Sequence, residues 1–305
     1  MMYLHDEPQL FAEVIQQCRN DYGYDLDIIE KDYYVSMFLQ EIAKSDIDFV
    51  FKGGTSLSKC YSVIERFSED IDLTVMHKPN RKQKSHIKQT ILDIADKLGL
   101  VVENKAETRS GRDFNRYEIA YSSILSKHQL APVIYVEVSV SITAFPIDSR
   151  YVSSYVGQTL SAHGLNEQIQ QYNLHNFVIN VQSIKRTFID KVFALCDYYL
   201  QGKKERYSRH IYDIYQIMTK IDLSDINPQL IEDVKNIRRN NPNCLSAKEN
   251  VNPTAILAKL TQEEFYKDDY NKITKKLLFT PIPYEQAIIA IEKIIKSSLF
   301  TLYVQ

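Results

Sequence analysis

Residues 51–75 read "FKGGTSLSKCYSVIERFSEDIDLTV", and the fold turns on two places in this stretch. The first is Gly53-Gly54, which follows the apolar run "DFVF" (48–51) and opens a helical pattern, "TSLSKCYSVI", with Thr55 or Ser56 near its cap. The second is "SEDIDLTV" (68–75), where Ile71, Leu73 and Val75 alternate with Asp70 and Asp72. Side chains alternate faces along a strand, so one face is apolar and the other carries two carboxylates pointing the same way. Two such charges repel, and leaving them uncompensated on a sheet face is costly. The spacing predicts strand, glycine turn, helix and strand, with a cation held against the two aspartates.

Upstream, "LDIIEKDYYVSMFLQEIA" (26–43) has helical apolar spacing. Downstream, Ile87, Ile91, Ile94, Ala95 and Leu98 predict a second helix over 81–98. Strands are predicted at 114–122 and at 133–142, where Val136, Val138 and Val140 alternate with Tyr135, Glu137 and Ser139 and so put Glu137 on the polar face. Residues 143–180, with Pro146, Gly157 and Gly164, read as a loop-rich crossing that ends in a strand, "FVINV". From Ser183 the pattern is helical: 184–200, 209–219, 228–239, 254–276 and 284–299. The fold class is α/β (α+β): a mixed sheet flanked by helices over 1–180, then a helical domain over 181–305.

A net charge of −2 announces neither a nucleic-acid partner nor a membrane surface. The four cysteines, Cys18, Cys60, Cys196 and Cys244, lack the spacing of a zinc site or a disulfide framework, which suits a reducing cytoplasm. The start, "MMYLHDEPQLF", has no apolar signal core, and no stretch approaches a spanning helix, so a cytoplasmic chain without membrane insertion is expected.

The chemistry concentrates around the glycines and the aspartates. A Gly-Gly turn opening a helix lets backbone N–H groups approach a phosphate closely. Two same-face aspartates, with a third carboxylate on a neighbouring strand, make an oxygen-ligand site for Mg²⁺, which keeps waters and bridges to substrate phosphates. A pair of such ions about 3.5–4 Å apart serves an in-line displacement at phosphorus. Lys52 and Lys59 flank the turn as possible phosphate charge, with ordinary surface lysines as the alternative. The seven histidines show no ligand spacing.

Gly-Gly-Thr/Ser after a strand, followed by Asp-x-Asp on the next, resembles the DNA polymerase β-like nucleotidyltransferases. The wording "FKGGTSLSKCYSVIERFSEDIDL" is similar to one branch, the AbiEii/AbiGii family, toxins of type IV toxin–antitoxin and abortive-infection (phage-defence) systems. "IIEKDYYV" (28–35), "FIDKVFAL" (188–195) and "RHIYDIYQI" (209–217) extend the resemblance over roughly 25–220. It implies that Gly53, Gly54, Thr55 and Ser56 form the phosphate turn and that Asp70 and Asp72 ligate metal. It also implies that Lys191 meets the nucleotide phosphates and that Asp213 is needed for activity, both at an inter-domain cleft. Glu137 takes the place of the superfamily's third carboxylate, usually Asp, which leaves metal ligation, general-base action and the orienting of a water all open. Arg209 and Asp213 lie four apart on one helix face, so the aspartate either pairs with that arginine or reaches toward the site. Without the resemblance, Lys191 reads as a helix lysine snorkelling to water.

The activity implied is transfer of NMP from an NTP to an acceptor with release of pyrophosphate. The resemblance points to RNA, with the tRNA 3′ end foremost, and to arrested translation and growth. A separate cognate antitoxin is implied, often a DNA-binding regulator, with no direct contact inferable. Lys203, Lys204, Arg206 and Arg209, with Tyr207 interleaved, form a basic cluster suited to an RNA backbone; Lys78, Arg81, Lys82, Lys84 and Lys88 form a second that reads better as a solvated helix face. Two other readings stay open: the same chemistry on a protein or small-molecule acceptor, and a non-catalytic NTP-binding module.

Overall fold

The computed structural model describes residues 2–66 and 68–301, and the chain divides into two compact units. One unit ends at Cys60 and resumes over Ser68–Val181; the other holds the short 61–66 segment and the chain from Gln182 onward.

The first unit is built on a seven-stranded mixed sheet in the order β3-β4-β5-β2-β1-β7-β6. Its strands are β1 (Phe49–Lys52), β2 (Asp70–Val75), β3 (Val101–Val102), β4 (Phe114–Ala120), β5 (Val133–Ser139), β6 (Ile147–Val152) and β7 (Phe177–Gln182). β1 runs antiparallel to β2, and β2 runs parallel to β5. One face is the apolar set the alternation predicts: Phe49, Phe51, Ile71, Leu73, Val136, Val138, Tyr117 and Ile119, all buried. Against it lies α2 (Leu26–Lys44), buried on nearly every side because α1 (Pro8–Tyr22), α4 (Arg81–Lys97) and α5 (Tyr155–Ala162) pack around it as well. Burying one side chain such as Phe38 or Ile71 contributes about 1.5–3 kcal/mol, so the periodicity fixes which face is inside.

Three local departures from the pattern matter. β1 extends to Lys52, which brings that lysine into the ladder opposite Asp72. α3 (Gly53–Lys59) starts at Gly53 itself, and neither hydroxyl caps it: the Ser56 Oγ donates to the Gly53 carbonyl at 2.9 Å, and the Thr55 Oγ1 to the Ser68 Oγ at 2.9 Å. The 143–180 crossing is not mostly loop, because β6, α5 and α6 (Asn166–Gln171) lie within it. Gly157 concealed α5, since glycine weakens a helical pattern, yet a Cβ there would stand 2.7 Å from the Leu174 carbonyl oxygen. α1, with Pro8 at its start and the left-handed Gly23 at its end, also went unpredicted.

The second unit is helical: α7 (Ile184–Leu200), α8 (Arg209–Ile217), α9 (Pro228–Arg239), α10 (Pro253–Gln262), one continuous run made of α11 (Lys267–Asp269), a π-helical turn (Tyr270–Thr274) and α12 (Lys275–Leu277), and α13 (Tyr284–Ser297). The single helix expected over 254–276 is broken once, around Glu264 at φ 47°, and the run that resumes at Lys267 carries a π-helical turn at Tyr270–Thr274. Phe188, Ile189, Val192, Phe193 and Leu195 on α7 form its core with Ile211 and Ile214 of α8 and Ile291 and Ile294 of α13. The 61–66 segment belongs here: the Phe279 N–H donates to the Glu65 carbonyl at 2.9 Å, and the Glu65 N–H donates to the Tyr212 hydroxyl at 3.0 Å.

Candidate active site

On the polar face of the sheet the strand register lines up a row of four charges. Lys52 on β1 stands opposite Asp72 on β2, Asp72 opposite Glu137 on β5, and Glu137 opposite Arg116 on β4. Asp70 is paired with Tyr135 in the next row, so three carboxylates share one patch of sheet. The consequence is electrostatic. Burial first, then the charges of Asp72 and Asp70, push the Glu137 carboxyl up to about 7, while Arg116 and Lys52 pull against them.

Gly53 ties the glycine turn to this row. Its φ is +78°, a conformation that L side chains rarely adopt, and a Cβ there would stand 1.9 Å from the Asp72 Oδ2. Bare backbone therefore lies directly against the Asp72 carboxylate. Ser56, fully buried, braces the turn through its bond to the Gly53 carbonyl, and Thr55 is buried on Ser68. The side chain of Lys59, read from the sequence as phosphate charge or an ordinary lysine, is turned to groups of its own unit. Its Nζ is 2.6 Å from Asp32 and donates to Ser36 at 2.8 Å and to the Ser153 carbonyl at 3.2 Å, because a lysine half inside the core needs its donors satisfied there.

Three oxygen donors with no nitrogen or sulfur suit a hard divalent cation, which would offset the mutual repulsion of the three carboxylates. Among the described residues no three His, Cys, Asp or Glu side chains close into a ready cage. An open carboxylate row fits an ion that completes its shell with water and substrate oxygens.

In the second unit, Asp213 on α8 is fully buried and held by two cations. Arg66 grips it bidentately, Nε to Oδ1 at 2.7 Å and Nη2 to Oδ2 at 2.8 Å, and the Lys191 Nζ lies 2.6 Å from Oδ2. Burial opposes ionisation of Asp213, but the two cations outweigh it and hold the carboxyl well below the usual range. Lys191, itself buried, is drawn down chiefly by burial, with Asp213 opposing. The snorkelling alternative for Lys191 is thereby removed. The Arg209–Asp213 pair does not form; Arg66, which sequence reasoning missed, takes that place, its only signal being an arginine four residues before Asp70. His210, beside them, is kept neutral by burial and by the charges of Lys191 and Arg209.

Of the basic cluster, Lys203, Lys204 and Arg206 are exposed and Arg209 is half-buried. The loop is pinned by Asp269, which accepts from the backbone N–H groups of Arg206 and Ser208 at 2.9 and 3.1 Å. Lys203 and Lys204 lie over the rings of Tyr198 and Phe265 at 5.9 and 4.6 Å.

The strand, glycine turn, helix and strand that carry Asp-x-Asp lie inside the span matched by a nucleotidyltransferase family. The chain belongs to the AbiEii nucleotidyltransferase toxin family of type IV toxin–antitoxin systems, whose profile matches residues 38–292. Family membership carries an NTP substrate, a divalent metal and a cognate antitoxin. Among solved structures, the chain is similar to MenT4, a nucleotidyltransferase toxin from Mycobacterium tuberculosis H37Rv, at 15% identity and a TM-score of 0.54, covering 96% of this chain and 90% of that one. No curated protein sequence matches it. No helix among the described residues is long and apolar enough to cross a membrane.

Proposed function

We propose that this nucleotidyltransferase transfers NMP from an NTP to the 3′ end of an RNA, with tRNA as the acceptor, that Mg²⁺ is its metal in a two-ion arrangement, and that blocked translation in the cytoplasm arrests growth. The observation that carries the reading is the contact of the Gly53 backbone with the Asp72 carboxylate, which joins a phosphate turn to a metal ligand with no side chain between them. Asp70 and Asp72, with Glu137 beside them, would hold the ions. When bound, these neutralise phosphate charge and polarise the group in transfer.

The remaining work falls to the chain's own groups. The Gly53-Gly54 backbone admits the triphosphate, and Lys52 supplies charge on that flank. Glu137, next to Asp72 in the charge row, is the carboxylate we assign to accept the proton of the attacking hydroxyl. An ammonium has three donors, and Asp213 accepts one from Lys191, which leaves others for a phosphate oxygen; Arg66 and Asp213 act as positioning residues for that lysine. The basic loop with Lys203, Lys204, Arg206 and Arg209 offers charge to the body of the RNA. The antitoxin is a separate chain, and a DNA-binding regulator without direct contact is the form we favour.

The test is incubation with total tRNA, Mg²⁺ and each α-labelled NTP in turn, with the Asp70→Ala/Asp72→Ala double variant as control. Label on RNA that disappears in the variant supports the reading. Label on protein instead moves the acceptor to a side chain, and no label anywhere leaves an NTP-binding module.

A further inference from the structure

The charge row has two ends, and they differ. At the Lys52 end lies the glycine turn, the side that takes the triphosphate. An in-line displacement needs its nucleophile opposite the leaving pyrophosphate, so the acceptor approaches from the Glu137 and Arg116 end. That end is built of rings and a planar cation. The Arg116 guanidinium lies 4.1 Å from the Tyr135 ring centroid, a stacked arrangement, and its Nη1 is 3.9 Å from the Glu137 Oε1. The side chain of Arg116 is 44% exposed. Two residues earlier on β4, and therefore on the same face, Phe114 is 50% exposed although it stands opposite Ser139 within the sheet. Two residues later on that face comes Glu118, opposite Tyr135, whose carboxylate repels phosphate.

From this arrangement we infer that Phe114, Arg116 and Tyr135 form the platform on which the single-stranded 3′ end of the acceptor RNA lies. This inference rests on the transferase reading above. An exposed ring beside a stacked guanidinium matches single-stranded nucleic acid, whose bases stack on rings while its phosphates take the cation. A protein acceptor has no comparable need for the alternation of ring and cation. The strand runs from Glu137 toward Phe114, away from Glu118: its terminal hydroxyl sits at Glu137, its last phosphate at Arg116, and a base stacks on Phe114.

The experiment measures binding and transfer separately. A 5′-labelled single-stranded RNA oligonucleotide is titrated with wild type, Phe114→Ala, Phe114→Trp, Arg116→Gln and Arg116→Lys without NTP, and its fluorescence anisotropy is read. Acceptor KM and NTP KM are then measured with labelled NTP, and thermal midpoints show that each variant is folded. We expect Phe114→Ala and Arg116→Gln each to weaken oligonucleotide binding and raise acceptor KM about tenfold. Phe114→Trp should keep wild-type binding, Arg116→Lys should recover part of it, and NTP KM should stay unchanged throughout. Binding and acceptor KM within twofold of wild type for both Phe114→Ala and Arg116→Gln would overturn the platform, as would equal losses in Phe114→Ala and Phe114→Trp. If wild type binds the oligonucleotide through these residues but labels no RNA, the transferase reading falls and the platform stands.

Discussion

Replacing Arg66 by methionine tests whether the buried Asp213 carboxylate depends on that one residue. Arg66 and Asp213 are 3% and 0% exposed, and their bidentate contacts are 2.7 and 2.8 Å. At an effective dielectric of about 20, unit charges at such a separation attract by about 6 kcal/mol. Methionine removes that attraction and leaves the carboxylate with Lys191 alone, still out of water. Breaking a buried pair on one side costs about 3–5 kcal/mol. For a unit of this size that corresponds to a fall of roughly 10–20 °C in its melting transition. Differential scanning calorimetry, which resolves two transitions where the units unfold separately, is the assay. The pH dependence supplies a second check. Because the folded-state pKa of Asp213 is depressed, its ionisation contributes stability above the unfolded value of about 3.9, and this is lost as pH falls toward the folded value. In Arg66→Met that acid-side decline should shrink. A second variant, Arg66→Met/Lys191→Met/Asp213→Leu, should recover most of the stability and none of the activity. A loss below about 1 kcal/mol in Arg66→Met, with the acid-side decline unchanged, would refute the reasoning, since it would mean that water compensates Asp213 as well as the guanidinium does.

Three further outcomes follow from the first unit. Gly53→Ala should leave the fold intact but abolish detectable transfer, because its methyl would occupy the place of the Asp72 carboxylate; retention of a tenth of wild-type activity would mean that the turn is not the phosphate site. Lys59→Met should lower thermal stability while NTP KM stays constant, since Lys59 is committed to Asp32, Ser36 and Ser153; a raised NTP KM at unchanged stability would return it to the phosphates. In the metal-free protein, Glu137 keeps its proton to about pH 7, so Mg²⁺ affinity measured by calorimetry should rise with pH below 7 and level off above it. Stability without metal should run the other way, falling as pH rises from the ordinary glutamate range to about 7, because the folded state holds the proton longer than the unfolded chain. Glu137→Gln should flatten both curves.

The pattern that was legible in the sequence is the one that burial enforces. Alternation in 70–75 and 133–139 assigned Asp70, Asp72 and Glu137 to one face, because their neighbours Ile71, Leu73, Val136 and Val138 can lie only on the other. Contacts between residues far apart in the chain were not legible. The partner of Asp213 lies 147 positions away at Arg66, and Arg209, four positions away, was the nearer guess. The partner of Lys59 is Asp32 on α2, a pairing that no local spacing encodes. Arg116 escaped notice because an exposed arginine on a strand is unremarkable until the register sets it beside Glu137. Helices whose signals included a glycine or a short run, such as α5 and α6, were lost to the same locality.

The register that positions the charge row is itself held by residues with no chemistry. Phe49 pairs with Val75 and Phe51 with Leu73, and these contacts decide that Lys52 meets Asp72. A slip of one residue between β1 and β2 would turn Phe49 and Phe51 outward, at a cost of about 1.5–3 kcal/mol for each side chain exposed. The same slip would move Gly53 off Asp72 and, in one direction, bring Lys52, which has a Cβ, to that place. The strand must also end at Lys52, since Gly53 has φ +78° and begins α3. Apolar pairing, the glycine conformation and the carboxylate contact therefore specify one register in common. A sequence change at Phe51 or Leu73 that disturbed the pairing would abolish catalysis without touching a catalytic group, and the loss would appear in kcat with the carboxylates intact.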